Sequence, residues 1–141
     1  MKYISRSIDK TLEEWKESTT HKPLLLRGAR QVGKSSAVRH LGTQFKYFAE
    51  VNFESAKSIA TFFKGDLDVK LISSKISNYI QVPIIPGQTL LFLDEIQACP
   101  EAIMALRFFK EDYPELHVIA AGSLLEFALQ SLPTFGVGRI H

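Results

Sequence analysis

The stretch Gly28-Ala29-Arg30-Gln31-Val32-Gly33-Lys34-Ser35 meets the phosphate-loop pattern G-x-x-x-x-G-K-[ST] at every fixed position. Its glycines allow a tight turn whose backbone N–H groups converge on phosphate oxygens, and a helix starting at its end points its positive dipole end at the same place. The pattern predicts a nucleoside triphosphate cradle formed by Gly28, Ala29, Arg30, Gln31, Val32, Gly33, Lys34, Ser35 and Ser36. Lys34 would reach the β- and γ-phosphates, and the Ser35 hydroxyl would ligate magnesium.

The flanking sequence supplies the context that such a loop needs. Pro23-Leu24-Leu25-Leu26 is a short continuous apolar run, the mark of a strand buried on both faces, and it leads into Gly28. Ser35 to Leu41 reads as a helix with Val38 and Leu41 inward and Gly42 as its C-cap. Upstream, Ile8, Leu12 and Trp15 at helical spacing, opposite Glu13, Glu14, Lys16 and Glu17, predict an amphipathic helix over residues 7–17.

Downstream, a second strand is expected over Phe45 to Phe53, with Asn52 and Glu54 at its end. A short helix follows over residues 55–63. After Gly65-Asp66 a longer one runs to Ile80, one face marked by Leu71 or Ile72, Ile76, and Tyr79 or Ile80. Pro83 and Pro86-Gly87 supply a loop before a third strand, Thr89 to Leu93. Pro100 opens a helix to Asp112, and His117 to Ala121 is a fourth strand. Residues 124–132 read as a helix, and residues 136–141 as a loop turning into a strand. Strands alternating with helices predict an α/β three-layer sandwich around a mainly parallel sheet.

The run Leu90-Leu91-Phe92-Leu93 delivers Asp94-Glu95, the carboxylates that a magnesium-nucleotide site needs at the end of a neighbouring strand. Asp94 is the metal-side candidate and Glu95 the candidate general base for an attacking water. The pair could instead merely favour the start of the next helix. Ser123 could orient water near the γ-phosphate. It also opens an S-x-x-E capping box with Glu126, and the two roles are compatible. Arg139 could reach across a subunit boundary to a neighbour's γ-phosphate, or stand as a solvated loop charge.

A net charge of +2 gives no nucleic-acid footprint; Lys22, Arg27, Arg30, Lys34 and Arg39 crowd around the phosphate motif, where a polyanionic ligand accounts for them. The single cysteine, Cys99, excludes an internal disulfide and suits a cytoplasmic setting, and is read as structural. His21, His40, His117 and His141 lack metal-ligand spacing. No apolar run approaches the roughly 20 residues of a membrane span.

Leu26 to Ser35, then Leu91-Phe92-Leu93-Asp94-Glu95-Ile96-Gln97, then Ala121-Gly122-Ser123, then Val137-Gly138-Arg139 together resemble prokaryotic AAA+ P-loop ATPases, of an uncharacterised type usually followed by a C-terminal domain of unknown function. The resemblance implies the strand order 5-1-4-3-2, a sensor position for Ser123, a finger role for Arg139, and ATP with Mg2+ as ligands. It also implies that residues 1–141 are an N-terminal AAA+ domain cut off at strand five, lacking the helical lid and later domains. With strand five missing or only begun, strand one would be a sheet edge, and self-association into a homo-oligomer is expected. The function expected is Mg-dependent ATP hydrolysis coupled to conformational change of attached domains. The alternatives are a nucleotide-dependent switch or scaffold with little turnover, and small-molecule phosphotransfer, for which no substrate hydroxyl pocket is found.

Overall fold

The computed structural model describes residues 7–26 and 34–122, and the backbone of 138–140. Within these, α1 spans Ser7–Glu17, β1 Leu24–Leu26, α2 Lys34–Gly42, β2 Tyr47–Asn52, α3 Lys57–Ala60, α4 Val69–Ile80, β3 Thr89–Asp94, α5 Pro100–Asp112, β4 His117–Ala121 and β5 Gly138–Ile140. Short 3-10 turns follow α3 (Thr61–Phe63) and β3 (Ile96–Ala98). The expected helix over 124–132 lies outside the described residues.

The five strands lie in the order β2-β3-β4-β1-β5, and every neighbouring pair is parallel. That is the order 5-1-4-3-2 implied by the resemblance. Because side chains alternate along a strand, the apolar runs divide between two cores. Leu24, Leu26, Leu90, Phe92, Ile119 and Ala121 face one way and pack with Leu12 of α1 and Ala37, Val38 and Leu41 of α2. Leu25, Leu91, Leu93, Val118 and Ala120 face the other way, against Ile59 of α3, Ile72 and Ile76 of α4, and Ile103, Leu106 and Phe109 of α5. The result is the three-layer α/β sandwich.

Several expectations change. β1 is not a sheet edge: β5 pairs with all three of its residues, Leu25 opposite Arg139. The edges are β2 and β5, so exposure of β1 gives no reason for self-association. Gly42 ends its helix as expected, but without the left-handed backbone that favours glycine in a C-cap. It is the buried last residue of α2, and a Cβ there would lie 2.5 Å from Cδ1 of Phe48, so glycine serves close packing.

The second strand is shorter than expected, with Phe45 in the turn that joins it to α2. The short helix is an α-helical turn continued as a 3-10 turn. On α4 the inward choices are Ile72 and Ile76, with Ile80 packed partly against them, whereas Leu71 and Tyr79 are exposed. Asp68 caps this helix through the Leu71 N–H, and Pro100 occupies the first turn of α5.

Candidate nucleotide site

In a parallel sheet all strands end on the same side, and loops at their carboxyl ends form the ligand crevice. β1 ends there at Leu26, β3 at Asp94, followed by Glu95, and β4 at Ala121, followed by Gly122. Gly28, Ala29, Arg30, Gln31, Val32 and Gly33 lie outside the described residues, as does Ser123. Arg139 is the middle residue of β5, rather than a residue before a strand, and its side chain is not described.

Lys34 opens α2, followed by Ser35 and the exposed Ser36. The Ser35 hydroxyl donates to Oδ2 of Asp94 at 3.3 Å, so two residues 59 apart in sequence meet across the crevice. Asp94 is buried, with 6% of its surface exposed, and its Oδ1 accepts the Glu95 N–H at 2.9 Å. Burial pushes the Asp94 carboxyl above the usual carboxylate range; the Glu95 N–H bond opposes this, the Glu95 charge adds to it, and the Ser35 bond opposes it. A hard divalent cation fits these groups. A hydroxyl and a buried carboxylate supply two protein oxygens, and a cation beside them would relieve the burial penalty on Asp94. Among the described residues no set of three His, Cys, Asp or Glu could hold a metal by itself. That is compatible with magnesium, which takes few protein ligands and completes its shell with phosphate and water.

Glu95 is buried too, and its backbone is left-handed (φ 52°, ψ 45°), unusual for a residue with a side chain. Its Oε2 accepts the Gln97 side-chain amide at 2.9 Å. The same amide nitrogen lies 3.5 Å from Oε1 of Glu54, in the turn after β2. That turn is shaped by Asn52, whose Oδ1 accepts the Glu54 N–H, while the Phe53 N–H donates to the Asp94 carbonyl. Gln97 and Glu54 carry no role in the sequence reading. The available signal was positional: Asn52 and Glu54 at the end of one strand and Gln97 three residues past the end of another.

The cations expected around the phosphate loop divide. Lys22 precedes β1, at the opposite end of the sheet, where its carbonyl accepts the Trp15 indole N–H. Arg39 makes two bonds to Glu50 of β2, at 2.9 and 2.8 Å, which raise its pKa against the opposing effect of burial. Arg27 and Arg30 lie outside the described residues. Cys99 is buried, and burial pushes its thiol pKa up, which suits a structural cysteine. No helix among the described residues is long and apolar enough to cross a membrane.

The fold is similar to that of the Walker-type ATPase PABY2304 of Pyrococcus abyssi, at 19% identity and a TM-score of 0.57 over 98% of this chain. The chain spans 53% of that protein's length. A weaker likeness, TM-score 0.47 at 15% identity, covers 89% of this chain and 33% of unliganded Pif1 from Bacteroides sp. No curated protein matches the sequence. The family model described as "AAA domain" matches residues 20–141, nearly the whole chain, and the chain belongs to that family of P-loop ATPase domains.

Proposed function

We propose that this domain binds ATP with magnesium and hydrolyses the β–γ phosphoanhydride. The observation that carries the reading is the Ser35–Asp94 hydrogen bond, which joins the residue ending the glycine motif to the carboxylate ending β3. Residues 28–36 cradle the phosphates through backbone N–H groups, and Lys34 places its ammonium against their charge. Ser35 and Asp94 would hold magnesium, which when bound supplies charge neutralisation at the phosphates. Glu95 accepts the proton of the attacking water. Ser123 orients that water, and Arg139 acts as a finger toward a neighbouring subunit, in a homo-oligomer.

Family membership supports ATP as the nucleotide. The resemblance of the motifs to AAA+ ATPases that carry further domains supports a coupling in which a lid and attached C-terminal domains respond to the nucleotide. The single cysteine supports a cytoplasmic location. The deciding experiment is phosphate release by the full-length protein, wild type beside Glu95→Gln. The variant should bind ATP and release phosphate roughly 10²–10⁴-fold more slowly. Wild-type protein that binds ATP yet turns over no faster than Glu95→Gln overturns the hydrolytic reading in favour of a nucleotide-dependent switch.

A further inference from the structure

We infer that Gln97 is a positioning residue for Glu95, and that Gly122 supplies the space its amide occupies; the inference rests on the hydrolytic reading of Glu95. The chemistry of the contacts orients the amide. One terminal atom of Gln97 is 2.9 Å from a Glu95 carboxylate oxygen and 3.5 Å from one of Glu54. Carboxylates accept, so that atom is the NH2, with a donor for each. The amide oxygen is turned the other way, buried and without a hydrogen-bond partner among the described residues.

Gly122, the residue after β4, lies directly against that oxygen. A Cβ built on Gly122 would collide with Oε1 of Gln97 and lie 3.3 Å from Cδ and 3.6 Å from the Gln97 backbone nitrogen. Any side chain at 122 would therefore displace the amide. Three strand ends thus converge on one side chain: Glu54 from the turn after β2, Glu95 from β3 and Gly122 from β4. A buried amide oxygen left without a partner is unfavourable, and it is tolerated where the NH2 secures the carboxylates.

The consequence is kinetic. A general base works only when held within hydrogen-bond reach of the proton it takes, and a misplacement of about 1 Å can cost on the order of 10²-fold in rate. Gln97 fixes the Glu95 carboxylate from the side of Glu54. Gly122 follows β4 directly and lies against Gln97, so the end of β4 acts on the base through this amide.

Two measurements on the full-length protein test this. In nucleotide-free protein, the Gln97 side-chain 15N–1H pair should resonate away from the position of exposed glutamine and move toward it in Glu95→Ala and in Gly122→Ala. A pair that does not respond to Glu95→Ala overturns the assignment. In turnover assays, Gln97→Ala and Gly122→Ala should each lower kcat about ten- to hundredfold while nucleotide Kd changes less than about twofold. The double variant should be no slower than Gln97→Ala, because the methyl group then has no amide to displace. Multiplying losses overturn the role given to Gly122, and Gln97→Ala turning over at the wild-type rate overturns the role given to Gln97. Absence of turnover in wild type with a responding amide would fell the hydrolytic reading alone, leaving the Gln97–Glu95 contact in place.

Discussion

His21 and His117 stack face to face, ring centroids 3.7 Å apart and 12° from parallel, with Trp15 edge-on to both. Nδ1 of His21 faces the Ser18 carbonyl, and Nε2 of His117 faces the Lys16 carbonyl, so each of these nitrogens carries the proton. The remaining nitrogens, Nε2 of His21 and Nδ1 of His117, are buried without a partner among the described residues. Protonating His117 would bury a charged ring against its neighbour. Burial holds the His117 pKa below 6.5, the His21 and Lys16 charges act the same way, and the Lys16 carbonyl and Glu17 oppose them. The unfolded chain therefore binds more protons than the folded one below about pH 6.5, and stability should fall as the pH drops from there toward the folded-state value. Urea melts of wild type and His117→Phe between pH 5 and 8 would test this. The loss on the acid side should shrink in the variant, and an equal loss in both would refute it. The sequence says of the four histidines only that they lack metal-ligand spacing, because a stack of residues 21 and 117 depends on strand pairing that spacing cannot express. Asp94-Glu95 was legible for the opposite reason, since a local apolar run carries the pair to a strand end. Gln97 was not, because its partners come from two other strands.

At the level of elements, α2 and β2 meet at Gly42 and Phe48. Replacing Gly42 by alanine should gain up to about 1 kcal/mol in helix propensity. Against that, the new Cβ would lie 2.5 to 3.0 Å from three atoms of the Phe48 ring, and Phe48 itself stacks with the buried Phe92. Overpacking of this kind costs roughly 1–3 kcal/mol, so Gly42→Ala should be net destabilising by about 1 kcal/mol. Combining it with Phe48→Leu should recover part of the loss. Equal destabilisation in both backgrounds would show that Phe48 is not the obstacle. The outline of the elements was legible: α1, α5 and β4 span the residues expected, because an amphipathic stripe, a Pro100 start and a continuous apolar run are local signals. The packing role of Gly42 was not legible, because a glycine that only ends a helix and one that is also pressed against a neighbouring strand look the same in sequence. The inward face of α4 was left open between adjacent apolar residues, and only the packing of Ile72 and Ile76 against the sheet decides it.

Across the whole molecule, the residues assigned to nucleotide and metal come from different chain segments. Ser35 begins α2 after β1, Asp94 ends β3, and a single hydrogen bond joins them. Parallel pairing through β4 links β1 to β3, so a ligand held at the crevice restrains three strands and α2 together. A ligand bound only by the folded state stabilises that state by mass action, about 2.7 kcal/mol at a free concentration one hundred times Kd. ATP with magnesium should therefore raise the thermal midpoint of the full-length protein by several degrees. Lys34→Ala should remove most of that rise whether or not magnesium is present. Asp94→Asn and Ser35→Ala should instead remove the part that EDTA removes from wild type, leaving the metal-independent part. This division follows from the separate roles of an ammonium on phosphate and an oxygen pair on the cation. A wild-type midpoint unmoved by ATP and magnesium would contradict the assignment of this crevice to a nucleotide. A rise that Asp94→Asn leaves fully sensitive to EDTA would place the cation elsewhere.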